Sequence, residues 1–114
     1  MEIQVGEYVR TKQGYIAKLL EIDRELKLLI FEKPIWKEKY NPKKTISFIN
    51  FNSRVKSHSF NIIDLIEIGD YVNGEYVTDT WNGNRIETHR SNFHEDNIKS
   101  IVTKEAFESI KYEV

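Results

Sequence analysis

The feature that most constrains the fold is a series of short apolar runs. Each run ends at a turn signal within about ten residues. Residues 15–22 nearly alternate between apolar and polar, residues 26–31 are apolar enough for a central strand, and the polar turn 23–25 separates them. An earlier turn is indicated at residues 12–14, which end in Gly14. Alternation with a period of two is typical of half-buried strands, and two hairpins in about 30 residues favour an antiparallel meander.

The remaining apolar runs extend the same pattern. Asn73-Gly74 is a strong tight-turn signal. Residues 32–44 contain Pro34 and Pro42 and are expected to form a loop or an edge excursion, because proline cannot donate to a central ladder. Further strands are predicted at residues 5–9, 45–51, 75–81 and 85–89 (around the turn 82–84) and 98–102, with a last short strand near Tyr112 and Val114.

Two segments favour short helices. Residues 59–66 could begin a helix capped by Ser59 or Asn61, although the adjacent isoleucines also suit a strand. Residues 103–110 predict a terminal helix capped by Thr103. We therefore expect a mainly β fold with a minor α component. It would be an antiparallel meander or small barrel-like sheet with one or two short helices, including a C-terminal helix.

One five-residue pattern, aliphatic-Gly-acid-Tyr-Val, occurs twice. It reads Val5-Gly6-Glu7-Tyr8-Val9 and Ile68-Gly69-Asp70-Tyr71-Val72. Glycine permits the backbone kink that starts such a strand. An internal duplication would explain the repeat, but so would a recurrent way of opening strands in SH3-like and other small barrels, and we favour the second explanation.

Length and composition favour one soluble domain. With 114 residues the chain suits one domain, so residues 1–114 are predicted to form a single β-rich domain. The chain contains no cysteine, which excludes disulfides and thiolate ligands and fits a reducing cytoplasm. Because no run approaches the ~20 apolar residues of a membrane span, we expect a soluble, cytoplasmic protein with no membrane partner.

The net charge of −1 conceals an uneven distribution of charge along the chain. Residues 1–32 carry five Lys/Arg and six Asp/Glu, residues 33–60 carry seven and one, and residues 61–114 carry five and eleven. A basic middle and an acidic end could mark a surface for an anionic ligand, or the charges could pair with each other or face water. Because the basic excess is local and no nucleic-acid-binding signature occurs, we expect no long nucleic acid as a partner.

The common catalytic patterns are missing from the sequence. It contains no G-x-S-x-G motif, no cysteine and no glycine-rich phosphate loop. His89, His94 and Glu95 could hold zinc if a loop folded back, but without H-E-x-x-H spacing they are better explained as surface residues. The acids at positions 64, 67 and 70 could bind a divalent ion but are commoner as solvated edges. We therefore predict that the protein is not an enzyme and has no catalytic residue, metal or cofactor.

Two clusters of arginine and aromatic residues carry the chemistry that a nucleotide requires. Guanidinium groups match phosphate oxygens, and aromatic faces stack on bases. One cluster is Trp81, Asn82, Arg85, His89, Arg90, Asn92 and Phe93 in the C-terminal half, and the other is Arg54, Lys56 and His58 in the basic middle, which Trp36 and Tyr40 could join. The candidate ligand-binding residues chosen from them are Arg54, Trp81, Arg85, His89, Arg90, Asn92 and Phe93. The alternative is that the aromatic residues belong to a core or hairpin and the arginines are simply exposed.

Three stretches together resemble small proteins of phages and prophages of Gram-positive bacteria. They are VGEYVRTKQG (residues 5–14), SFNIIDLIEIGDYVNG (residues 59–74) and IKSIVTKEAFE (residues 98–108). Within that group the chain resembles the first-described Thoeris anti-defence family of small β-rich proteins. Residues 32–44 lie outside the resemblance, and the matched stretches are strand starts and the predicted terminal helix.

The resemblance implies a function. The protein would bind and sequester a cyclic ADP-ribose isomer such as glycocyclic ADP-ribose, without cleaving it, in the cytoplasm of an infected bacterial cell, and so block activation of the Thoeris effector. Members of that family form dimers and sometimes larger assemblies, so a homo-oligomer is expected, and some also bind cyclic oligonucleotides. The alternatives are a phage protein-interaction module that inhibits a host defence protein through the acidic C-terminal half, and a small hydrolase.

Overall fold

The fold is mainly β, and its strand pairs are antiparallel. The computed structural model describes residues 2–81, 85–106 and 111–114. The chain divides into two compact units, which we call unit 1 (residues 1–60) and unit 2 (residues 61–114). The expectation that the chain forms a single domain stays a prediction.

Unit 1 consists of strands β1 to β7 and the one-turn helix α1. Their bounds are Tyr8–Thr11 (β1), Ile16–Asp23 (β2), Leu28–Phe31 (β3), Trp36–Glu38 (β4), Asn41–Lys43 (β5), Thr45–Ser47 (β6), Phe51–Arg54 (α1) and Val55–Ser59 (β7). The main sheet has the order β6-β3-β2-β1-β7. Four strands therefore form the predicted meander, and β7 returns to pair with β1.

The core of unit 1 combines buried residues of β1, β2, β3 and β6 with Ile3, with Ile35 just before β4 and with Phe51 of α1. It contains Ile3, Val9, Ala17, Leu19, Leu29, Phe31, Ile35, Ile46 and Phe51. The expected alternation of Ile16, Leu20 and Ile22 fails at Leu20, which is 53% exposed. The register against β3 shifts between Leu19 and Glu21, so a bulge turns Leu20 outward and gives the buried position to Leu19.

Two predictions for the middle of the chain have different outcomes. The edge excursion predicted for residues 32–44 is confirmed, because β4 and β5 form a two-stranded hairpin of their own, with Pro42 in β5. The prediction of a strand at residues 45–51 is wrong beyond Ser47, where β6 ends. The chain continues there as a 3-10 turn, Phe48–Asn50, and then as α1. An apolar run this short fits either a strand or a helical turn.

Unit 2 consists of strands β8 to β13 and two 3-10 turns, Ile62–Leu65 and Glu95–Asn97. The strands are Tyr71–Val72 (β8), Glu75–Trp81 (β9), Arg85–Thr88 (β10), Asn92–His94 (β11), Ser100–Val102 (β12) and Lys111–Glu113 (β13). The sheet order is β11-β10-β9-β8-β12-β13. Again four strands form a meander, and a fifth, β12, returns to pair with the first.

The two helix predictions also differ in outcome. The helix expected within residues 59–66 is present as the 3-10 turn Ile62–Leu65, which follows Asn61. The predicted C-terminal helix is not seen. Residues 103–106 form a turn, whereas residues 107–110, like the predicted turn 82–84, lie outside the described residues.

Within the described part of the chain, no helix is long and apolar enough to cross a bilayer.

The repeated motif forms the turn before the first strand of each unit, and the same hydrogen bonds stabilise that turn in both units. The acid accepts a bond from the backbone N–H three residues earlier, at 2.6 Å for Gln4 to Glu7 and 2.7 Å for Glu67 to Asp70. The backbone N–H of the acid donates to the carbonyl of the same earlier residue, at 3.1 Å in both units. The glycine before each acid has the positive φ that this turn requires: +98° at Gly6 and +100° at Gly69.

The same acid also holds the returning part of each unit. Glu7 contacts Nδ1 of His58 in β7 at 2.7 Å, and Asp70 accepts the backbone N–H of Lys104, just after β12, at 2.9 Å. With the shared strand order, these bonds show that the sequence repeat marks a structural repeat. A recurrent strand opening alone does not explain that agreement.

Candidate ligand-binding site

The structure distributes the predicted ligand-binding residues over both units. Arg54 ends α1 of unit 1. The other six lie in unit 2, on β9, β10 and β11 and on the turn 89–91 that joins β10 to β11.

The strand register divides the unit 2 residues between two faces of the sheet. Arg85 is directly opposite Trp81 of β9 and His94 of β11, and directly opposite residues share a face. Phe93 is opposite Ile86, which neighbours Arg85 on its strand and is buried. Phe93 therefore projects on the other face from Arg85 and is not part of the same cluster.

Trp81 and Arg85 form a cation–π pair on the exposed part of this face. The guanidinium carbon lies 4.9 Å from the indole ring, and Trp81 is 45% exposed. Such pairs at exposed sites contribute roughly 0.5–1 kcal/mol. The pair leaves part of an aromatic surface and a cation accessible, as the nucleotide interpretation requires.

The turn between β10 and β11 is fixed by one buried hydroxyl. Thr88, only 5% exposed, donates from Oγ1 to the Glu75 carboxylate at 2.7 Å. The same oxygen accepts the backbone N–H of Ser91 at 3.0 Å and that of Arg90 at 3.3 Å. The backbone N–H of Thr88 donates to the carbonyl of Ser91 at 2.9 Å, which closes the turn. His89 and Arg90 are exposed on this fixed backbone.

An aromatic row leads up to this turn. The His89 ring stacks on Tyr76 with a centroid distance of 6.1 Å and an interplanar angle of 17°. Tyr76 in turn meets Tyr71 edge to face at 5.5 Å. The row gives the turn a flat ring surface beside the Arg90 guanidinium.

Two shallow concavities flank the turn. The first, of about 200 Å³, is lined by Gly74, Glu75, Tyr76, His89 and Arg90. The second, of about 180 Å³, is lined by residues 87–92. Ligand pockets usually enclose about 300–1,000 Å³, so either concavity fits one ring or one phosphate group rather than a whole dinucleotide.

In unit 1, Arg54 also pairs with a tryptophan. Its guanidinium carbon lies 4.9 Å from the ring of Trp36 in β4, so the sequence expectation that Trp36 joins Arg54 agrees with the structure. His58 instead contacts the buried Glu7, and Tyr40 lies at the tip of the β4–β5 hairpin with 90% of its surface exposed.

Sequence reasoning missed Tyr76 and Thr88. A signal for Tyr76 exists, because a two-residue Asn73-Gly74 hairpin places Tyr71 opposite Tyr76, as observed. For Thr88 we find no sequence signal, since its role depends on Glu75, which a bulge in the β9–β10 ladder brings within reach.

Among residues 2–81, 85–106 and 111–114, no group of three or more His, Asp or Glu side chains could hold a metal ion. Comparisons with protein-family models, curated proteins and solved structures found no match to the chain.

Proposed function

We propose that the protein binds a small nucleotide-derived anion on the turn between β10 and β11 and releases it unchanged. The observation that carries this proposal is the Tyr76–His89 ring stack beside the exposed Arg90, on a backbone that Thr88 fixes. A ring of the ligand stacks on the exposed histidine, and a phosphate group pairs with the guanidinium. Because the turn is already ordered, little entropy is lost in forming the site.

The expected affinity of this turn alone is modest. A charge-assisted hydrogen bond contributes about 1.5–3 kcal/mol and a stacked base about 1–3 kcal/mol. Together they provide about 3–6 kcal/mol, whereas micromolar binding requires about 8 kcal/mol. Tighter binding needs more contacts, which a second copy in a homo-oligomer would supply.

The ligand class and the biological role come from the resemblance. It suggests a cyclic ADP-ribose isomer, sequestered in the cytoplasm of an infected bacterial cell so that the Thoeris effector is not activated. Such a molecule offers both groups that the turn favours, a purine ring for the aromatic row and phosphates for Arg90.

Calorimetry with glycocyclic ADP-ribose tests the proposal. We expect saturable heat, and the ligand should be recovered intact when the complex is denatured by heat. Arg90→Ala should weaken binding, whereas Arg24→Ala, an exposed arginine in the β2–β3 turn, serves as the matched control. The absence of heat, equal binding by both variants, or recovery of a cleaved ligand would each contradict the proposal.

One observation favours a second candidate function, binding to a host protein. Leu26 and Ile49 are 68% and 89% exposed beside a concavity of about 680 Å³ in unit 1. Exposed apolar surface of this kind often contacts other proteins. If this is the function, Ile49→Lys should abolish inhibition of the host defence while leaving nucleotide binding unchanged.

A further inference from the structure

Unit 1 contains a positively charged hairpin that the proposed function does not use. Residues 33–44 contain five lysines and a single acid, Glu38. Lys37 and Lys43 lie on the two hairpin strands, Lys39 lies in the connecting turn, and all three are exposed. Tyr40, beside Lys39, is 90% exposed. The positive charge that the sequence places in the middle of the chain is thus concentrated around one exposed aromatic ring.

The backbone of the hairpin is held in place by neighbouring parts of unit 1. The Gln13 side chain donates to the carbonyl of Lys37 at 3.0 Å and accepts its N–H at 2.7 Å. The Thr11 hydroxyl donates to the carbonyl of Ile35 at 3.0 Å, and the N–H of Ile35 donates to the carbonyl of Lys43 at 2.8 Å. The exposed side chains therefore project from an ordered backbone, and binding need only order the side chains.

A second aromatic residue lies at the base of the same hairpin. Trp36 has the Arg54 guanidinium against its ring at 4.9 Å and Lys43 opposite it in the register. About 10 Å of strand separates Trp36 from the turn that holds Tyr40. This length is about that of three stacked bases. Exposed aromatic rings beside cations are the combination that holds unpaired nucleotides.

The hairpin also occupies the position in unit 1 that the turn site occupies in unit 2. In both units the connection between the third and fourth meander strands carries exposed cations. In unit 2 it is the short turn 89–91, and in unit 1 it is the much longer segment 32–44. Long connections in compact units are often functional.

We propose that this hairpin binds single-stranded nucleic acid, with Tyr40 stacked on a base and with Lys39, Lys43 and Arg54 contacting phosphates. The local extent of the basic excess argued against a nucleic-acid partner, but the register places Lys43 on the same face of the hairpin as Trp36, against whose ring the Arg54 guanidinium lies. Duplex DNA fits less well, because its bases are already stacked and leave no free face for Tyr40.

Fluorescence anisotropy of the full chain with a labelled oligothymidylate of 15 nucleotides tests this inference. The logarithm of the association constant should fall with the logarithm of salt concentration with a slope of about −2, which corresponds to three phosphate contacts. Tyr40→Ala should weaken binding about tenfold, and Tyr40→Phe should retain it, because only the ring is needed.

A matched pair of lysines separates specific contacts from general charge. Lys39 and Lys27 are both exposed turn residues of unit 1 with positive φ, +56° and +55°. Asparagine tolerates that backbone, so Lys39→Asn and Lys27→Asn each remove one charge without strain. Only Lys39→Asn should weaken binding, and it should reduce the salt slope by about 0.7.

Three results would overturn the inference. The first is an equal loss of oligonucleotide affinity in the two asparagine variants. The second is binding to duplex DNA that is as tight as binding to the single strand and that Tyr40→Ala does not change. The third is binding to phosphatidylglycerol vesicles without binding to the oligonucleotide. Tyr40→Ala should leave the heat of glycocyclic ADP-ribose binding unchanged, so this inference and the proposed function can fail separately.

Discussion

At the scale of single residues, the acid of the repeated motif is what makes two distant segments fold alike. Asp70 is fully buried, and its carboxylate accepts the backbone N–H groups of Glu67 and Lys104. A buried carboxylate is stable only when it is hydrogen-bonded, so the side chain fixes both the turn before β8 and the segment after β12. Glu7 has the same position in unit 1, with His58 as its second partner.

Replacing Asp70 should therefore destabilise the protein strongly. Asp70→Ala leaves two backbone donors without their acceptor and should lower the free energy of unfolding by about 2–4 kcal/mol. Asp70→Asn keeps one acceptor oxygen and should cost less, about 1–2 kcal/mol. Urea denaturation measures both. The exposed Asp96→Ala is the control and should change stability by less than about 0.5 kcal/mol, and an equal loss in all three variants would refute the assigned role.

At the scale of elements, local turn chemistry was predictable and long-range constraints were not. The Asn73-Gly74 turn and the Asp23 turn follow from residue type, because these side chains favour or tolerate such backbones. The bulge at Leu20 depends instead on the register of β2 with β3. No local pattern encodes that register.

Asn73 provides an element-scale test. It has a φ of +53°, and its side chain accepts the N–H groups of Lys99 and Ser100 at 2.7 and 3.1 Å and so anchors β12. Asn73→Gly keeps the turn but loses the anchor, and should cost about 1 kcal/mol. Asn73→Ala also strains the backbone and should cost about 1–2 kcal/mol more. If thermal or urea denaturation ranked glycine as the worse substitution, the turn assignment would be wrong.

Thr88 tests whether the order of the β10–β11 turn matters for binding. Thr88→Val removes the hydroxyl that bonds Glu75 and the N–H groups of Arg90 and Ser91. We expect it to weaken nucleotide binding about tenfold and to lower stability by about 1–2 kcal/mol. Thr88→Ser keeps the hydroxyl and should retain binding. Unchanged affinity in the valine variant would show that the fixed turn does not shape the site.

At the scale of the whole molecule, two units share a strand order and a strand-opening motif but differ in one connection. The scaffold bonds made by Glu7 and Asp70 are repeated, whereas the third connection is a short turn in unit 2 and a basic hairpin in unit 1. Sequence reasoning identified Arg54, Arg85, His89 and Arg90 as candidates from their chemistry. It separated Arg54 from the other three, but it also grouped Phe93 with Arg85, which the register of β10 with β11 places on opposite faces of the sheet.

The most direct test of the nucleotide site is an amide chemical-shift titration of the ¹⁵N-labelled protein with glycocyclic ADP-ribose. The largest shifts should occur at Tyr76, His89, Arg90 and Ser91, and the amides of the β4–β5 hairpin should move little. Largest shifts in unit 1, or none at millimolar ligand, would contradict a nucleotide site on the β10–β11 turn.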